Sequence, residues 1–193
     1  MGEHVNDIRL EGARCVIRPW RRSDIEPLVG LADNRKVWRN LGDRFPHPYT
    51  RHDAEWWIDT VHSGEFEEDT FAIEVTGEFA GGIGVRWGDF EKRHTAEIGY
   101  WLGEPYWERG IGTEAVGLIA NWVVGHEHIR RIYAHVYGWN PASGRVLEKN
   151  GFAHEATLWD GIFKDGTYTD LLIYSRVIEG NPSPRSSPQR EEG

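Results

Sequence analysis

A single cysteine, Cys15, stands in the 193 residues, which excludes an internal disulfide framework and any cysteine-rich zinc site. It lies in the apolar run "ARCVIRPW", the setting of an ordinary core thiol, and its isolation favours a cytoplasmic location. Positive charge is also scarce. Twenty-two Lys and Arg against 31 Asp and Glu leave a net charge of −9, which argues against nucleic acid as a partner and mildly favours a cationic one. No run approaches the roughly 20 apolar residues that a membrane span needs. The opening "MGEHVNDIRL" lacks the basic flank and apolar centre of a signal peptide, and Asn6 stands where a myristoylation signal wants Ser or Thr.

What is present is a globular balance, 39% hydrophobic and 27% charged, at a length suited to one domain. Ten tryptophans are expected mostly in the core, with some in pocket walls. "ARCVIRPW" reads as a first strand. Ser23 and Glu26 then form a capping box opening a helix. "NRKVWRNL" suggests a second short helix, and Thr50 with Asp53 opens a third that Gly64 stops. Two β-rich runs around Thr76-Gly77 predict a hairpin, and "HTAEIGYWL" a further strand. "GIGTEAVGLIANWVV" carries an apolar helical stripe. "RRIYAHVYGW" follows as a strand, and "NPASGRVLEKNG" as a helix capped by Asn140 and ended by Gly151. Two last strands flank the turn "DGIFKDG".

The expected fold is therefore α/β (α+β): a mixed, mostly antiparallel sheet with one parallel strand–helix–strand crossover and helices on both faces. Residues 1–12 read as an N-terminal extension, 13–178 as a single domain, and the Pro- and Ser-rich 179–193 as a disordered tail.

"WERGIGTEA" holds a G-x-G-x-x-A run at Gly110, Gly112 and Ala115. A dinucleotide fingerprint would need the first glycine directly after a strand and an acid at the end of the next strand. Here "GEPYWER" intervenes, and "HVYGWN" offers no acid. What remains is a helix start whose amides from Arg109 to Thr113, by way of Gly110, Ile111 and Gly112, can converge on a pyrophosphate. The plainer possibility is that the glycines serve packing alone.

"AEIGYWLGEPYWERGIGTEA" followed by "NPASGRVLEKNGF" resembles the GNAT superfamily of acyl-coenzyme A-dependent N-acyltransferases, and within it the ribosomal-protein N-terminal acetyltransferase group. The resemblance runs from "IRPWRRSD" to "DLLIYSR". One departure is Trp107, which stands where the wider superfamily prefers Gln or Arg. The resemblance implies acetyl-coenzyme A as cosubstrate. It also implies a splayed strand pair that gives the backbone groups of Tyr100, Trp101 and Leu102 to the pantetheine, with the Asn140 side chain touching the same arm. No metal is expected: His126, Glu127 and His128 do not share a helix face.

The acceptor implied is a primary amine: a peptide or protein N-terminus, or else a small amine such as an amino acid, polyamine or aminoglycoside. An α-amine, with a pKa near 8, loses its proton more easily than a lysine near 10.4. Glu97 is the candidate base, because a carboxylate within an apolar strand is costly unless used or paired, and burial should raise its pKa toward a useful value. Asp160, Asp165 and Glu74 are lesser candidates. Many relatives place a Tyr where this chain has Leu147. Ser143, matching the serine of the ribosomal-protein group, is therefore the expected partner or acid for the departing thiolate. Residues 34–60, with Trp38, Phe45, Trp56 and Trp57, and the "LWDGIFKDG" segment are expected to wall the acceptor site. A non-catalytic coenzyme A-binding protein is a further alternative, and relatives include both monomers and homodimers.

Overall fold

The computed structural model describes residues 8–126 and 128–178. The segments 1–7 and 179–193, which hold most of the expected extension and all of the expected tail, lie outside the described residues, as does Glu127.

A short edge strand, β1 (Leu10–Glu11), pairs with β2 (Val16–Arg18). Three helices follow: α1 (Ile25–Ala32), α2 (Arg35–Trp38) and α3 (Arg51–Ser63). The hairpin β3 (Asp69–Val75) and β4 (Glu78–Trp87) leads to β5 (Thr95–Leu102). Then come α4 (Ile111–Val124), β6 (Arg131–Tyr137), α5 (Pro141–Lys149), β7 (Ala153–Lys164) and β8 (Thr167–Val177). Among the described residues one sheet runs in the order β1-β2-β3-β4-β5-β6-β8-β7. Only β5 and β6 pair in parallel, across α4, so the expected mixed sheet with one crossover is the observed fold.

Alternation along the strands divides the apolar side chains between two cores. On one face Phe71, Ile73, Val85, Ile98, Ile132 and Val136 pack beneath α4 and α5. On the other, Trp20, Ala72 and Phe79 meet Leu28 of α1 and Ile58 of α3, with Trp101 against them. Helices therefore cover both faces, and a residue's parity on β5 decides which face it serves.

Local signals fix most boundaries. Thr50 accepts the Asp53 N–H while Asp53 accepts the Thr50 N–H, a capping box that starts α3, and Gly64 ends it at φ 74°. Thr76 and Gly77 both have positive φ, 50° and 86°, as a two-residue hairpin between twisted strands requires. Two expectations need correcting. Ser23 does not cap α1. A 3₁₀ turn (Arg22–Asp24) precedes the helix, and Asp24 accepts the Arg21 N–H at 2.8 Å while gripped by buried Arg18. The final turn is also tighter than "DGIFKDG". The chain reverses at Asp165-Gly166 (φ 56° and 76°), and β7 continues through an irregularity at Asp160 (φ 51°) to Lys164.

Candidate active site

The parallel pairing of β5 with β6 stops at Glu97 opposite Tyr133, although β5 continues to Leu102 and β6 to Tyr137. The two strands fork there. Gly103 donates its N–H to Ala80 of β4 at 2.9 Å, and Gly88 donates to Thr95 at the other end of the pair. Antiparallel alternation then turns the backbone groups of odd-numbered β5 residues toward β4 and those of Tyr100 and Leu102 toward the fork. This corrects the expectation for Trp101. Its backbone lies opposite Gly82 of β4, and its indole packs against Phe45 and Phe79 on the α1 and α3 face. The Leu102 carbonyl is also engaged, accepting the Trp107 indole N–H at 2.8 Å, which leaves its N–H for the fork.

Directly beyond β5 lies the start of α4. Gly110 is in the left-handed region at φ 75°, and no side chain caps the helix. The N–H groups of Ile111, Gly112 and Thr113 therefore end the helix with their positive dipole outward. A Cβ at Gly112 would meet Leu102 no closer than 3.5 Å, so packing does not demand the glycine. The Ile111 side chain is core. Arg109 is exposed, its guanidinium 5.7 Å from the Tyr106 ring centre.

A surface cavity of about 490 Å³ adjoins this end, lined among others by Arg14, Gly110, Thr113, Glu114, Lys149 and Asn150. Asn150 donates to the Thr113 and Val146 carbonyls and so ties α4 to α5. Glu114 accepts the N–H groups of Ala13, Arg14 and Cys15 at 3.1, 2.6 and 2.9 Å. It thereby locks the β1–β2 turn, with Arg14, beside Gly110. Neither glycine spacing nor strand alternation signals Arg14, Glu114 or Lys149.

On the α5 side of the fork, Asn140 accepts the Ser143 N–H at 3.3 Å as helix cap. The Ser143 hydroxyl stands 2.8 Å from the Tyr100 hydroxyl, which also reaches the Ser143 carbonyl at 3.2 Å. Burial pushes the Tyr100 phenol up to about 12. Leu147 is fully buried in the core.

On the opposite face, Glu97 accepts from His135 Nδ1 at 2.8 Å and lies 3.5 Å from Arg86. Arg86 itself pairs with Glu68. Burial pushes the Glu97 carboxyl upward, but His135, Arg86 and Tyr133 outweigh it and hold the group below the usual carboxylate range. The expected rise is therefore reversed, since sequence position reveals burial but not the donors on neighbouring strands that alternation brings alongside. Two of the lesser candidates have carboxylates engaged elsewhere, and the third, Asp160, shows a bond only through its backbone. Glu74 bonds the buried Arg18 at 2.5 Å, Asp165 pairs with Arg35 at 2.6 Å, and the Asp160 N–H donates to Asp170.

Aromatic and charged contacts cluster among the segment after α2, the end of β6 and the β7–β8 hairpin. Trp38 stacks on His47, Phe45 lies tilted against Tyr49, and Arg39 lies 4.6 Å over Trp139. Lys164, almost fully buried, reaches Asp43 at 2.8 Å and sits 3.9 Å over the Trp38 ring. It clamps the β7–β8 hairpin onto the loop after α2.

An uncapped helix start beside a forked strand pair accompanies a family match that makes the chain an acyl-coenzyme A-dependent acetyltransferase. Residues 14–153 match the family described as the acetyltransferase (GNAT) domain, and the chain belongs to that family. It is 31% identical to the [ribosomal protein uS5]-alanine N-acetyltransferase of Escherichia coli, across 88% of this chain and 91% of that protein. A second relative, the ribosomal-protein-serine acetyltransferase of Escherichia coli, is 34% identical over 85 residues, which span 48% of its length. Among solved structures, a ribosomal L7/L12 alpha-N-protein acetyltransferase in complex with coenzyme A superposes with TM-score 0.76 at 21% identity, covering 89% of this chain and 98% of that one. A spermidine N-acetyltransferase from Vibrio cholerae reaches 0.71 at 20% identity, covering 86% of this chain and 96% of that one, so the fold alone is shared by enzymes of different acceptors.

Proposed function

We propose that this acetyltransferase transfers its acetyl group to the α-amine of a protein N-terminus. The likeness to an alanine N-acetyltransferase along nearly the whole of both chains is the observation that carries this reading. Proton chemistry supports it, because an α-amine near pKa 8 offers far more neutral nucleophile at pH 7 than a lysine near 10.4.

Acetyl-coenzyme A supplies the activated acetyl thioester. The uncapped amides of Ile111, Gly112 and Thr113 suit its diphosphate, with Gly112 free of any packing demand. Arg14 and Lys149 line the adjoining cavity and add positive charge for a phosphate. Tyr100 and Leu102 hold the extended arm through backbone groups turned to the fork. A Tyr100 N–H there polarises the carbonyl, while Ser143 hydrogen-bonds the departing sulfur. Glu97 and His135 face the entering nitrogen, within a wall formed by Trp38, Phe45 and Trp139.

The test is thiol release with acetyl-coenzyme A across a panel of N-terminal peptides and free amines. Peptides, with alanine- or serine-initiated ones foremost, are expected to give kcat/KM at least about tenfold above any free amine. A free amine equal to or better than every peptide overturns the acceptor assignment.

A further inference from the structure

We propose that His135, oriented by Glu97, takes the proton from the attacking amine. Two observations carry this. First, the only side-chain hydrogen bond His135 makes among the described residues runs from Nδ1 to Glu97. With an ionised carboxylate as acceptor, Nδ1 carries the hydrogen, and the neutral ring presents Nε2 as a bare lone pair. Second, His135 lies two residues past the last paired position of β6, at the margin of the fork, and its side chain is 36% exposed. Glu97, at 20%, is the more enclosed partner, and two donors already reach it: His135 at 2.8 Å and Arg86 at 3.5 Å. A carboxylate so solvated by the protein is a weak proton acceptor. Held as an anion, it fixes the tautomer of the imidazole and stabilises the imidazolium that forms, as a buried carboxylate does for a catalytic histidine.

The charged and titratable neighbours are few. From β5 His135 meets Glu97, and from β4 comes Arg86 with Glu68 behind it. On its own strand Tyr133 lies 5.6 Å away ring to ring, with Tyr137 two residues on. Across on β8 the partner is Ile173, which does not titrate. In the step itself the amine nitrogen bonds the acetyl carbon and the carbon–sulfur bond breaks. One proton passes from nitrogen to His135 Nε2, and the sulfur gains one from the Ser143–Tyr100 hydroxyl pair. The imidazolium and the hydroxyl pair then exchange a proton through solvent, so no other reactant is consumed.

This inference rests on the acyl-transfer site described above, but not on which amine is the acceptor. It is tested with the best amine of the wild-type panel, on H135Q, E97Q and the double variant. H135Q is expected to lower kcat by about 10²-fold or more, to leave KM for acetyl-coenzyme A within about twofold, and to abolish the acidic limb of the pH–rate profile. E97Q should lower kcat less and move that limb, and the double variant should be no slower than H135Q alone, because the two act as one unit. Retention of both rate and acidic limb in H135Q, with their loss in E97Q, overturns the inference and makes Glu97 the base. A readout besides activity is the long-range ¹H–¹⁵N spectrum of the imidazoles, with His135 identified by its absence in H135Q. The Nδ1–H tautomer is expected, and an Nε2–H tautomer in the wild type overturns the inference. A panel that favours free amines changes the acceptor and leaves the His135–Glu97 result standing.

Discussion

The hydroxyl groups of Tyr100 and Ser143 stand 2.8 Å apart, joining β5 to α5 beside the β5–β6 fork. A serine hydroxyl alone is a poor acid, but paired with a phenol it can pass on a proton without carrying a charge for long. Ser143→Ala is therefore expected to lower kcat about 10- to 100-fold, with little change in acetyl-coenzyme A affinity by calorimetry, within the range of acid–base contributions. Tyr100→Phe should do the same more weakly. Because the phenol is pushed up to about 12, it stays protonated through neutral and mildly alkaline pH. The basic limb of the rate profile should accordingly not move in Tyr100→Phe, and a clear displacement would remove the phenol from this role.

Gly112 separates a packing glycine from a ligand-facing one. An added Cβ meets ordinary van der Waals contacts at 3.5 Å from Leu102 and 3.8 Å from Val146, and alanine is the better helix former by roughly 0.5–1 kcal/mol. Gly112→Ala is thus expected to melt at or above the wild-type temperature while binding acetyl-coenzyme A at least about tenfold more weakly. Lost stability with unchanged binding would return the glycine to packing. Gly110→Ala differs in sign, because φ is 75° there and a side chain strains the backbone.

How much of this was legible in the sequence follows from the range over which each signal acts. The Thr50–Asp53 box, the Thr76-Gly77 turn and the Asn140-Pro141 start depend on residues within a few positions of one another, and they read correctly. Ser23 misled because Asp24 was claimed by Arg18, a partner six residues upstream whose burial only the packed sheet creates. Strand parity placed Glu97 away from Ile98 and Tyr100. It did not show His135 or Arg86, which reach Glu97 from neighbouring strands. The carboxyl's downward shift was invisible for the same reason. Arg14 and Glu114 are 100 residues apart in the chain, and neither carries a local mark of the other. The β5–β6 fork came only through the family resemblance, since a break in pairing leaves no trace in periodicity.

Glu114 should make stability depend on acid pH. Burial raises its pKa, but the three N–H groups it accepts outweigh this and hold it below the usual carboxylate value. A carboxyl depressed in the folded state adds stability that is fully present above its unfolded pKa and is lost as pH falls through the folded one. Wild-type unfolding free energy should therefore fall as pH drops below about 4.3, the unperturbed Glu value. Glu114→Gln should flatten that fall and cost about 1.5–3 kcal/mol at neutral pH, the worth of charge-assisted bonds. Denaturant titrations at several pH values measure this, and a variant with the wild-type pH slope would contradict it.

Arg18 is the most demanding group in the α1 face of the sheet. The residue is 2% exposed, and its guanidinium donates to Asp24 at 2.8 and 2.7 Å and to Glu74 at 2.5 Å. Arg21, at 3.1 Å, also shares Glu74. Removing one partner of such a cluster leaves uncompensated charge in a poorly solvated place, which typically costs about 3–5 kcal/mol. Arg18→Met, similar in length but uncharged, is expected to lose about that much in urea titrations, because it abandons two carboxylates at once. Arg18→Met combined with Asp24→Leu and Glu74→Met abandons none except the half-exposed Arg21, whose charge water still reaches. The triple variant should therefore recover most of the loss, although it discards more native hydrogen bonds than the single one does. If the triple variant is instead the less stable by the sum of three separate losses, the cluster stabilises the fold by its bonds, and not merely by avoiding an unpaired charge.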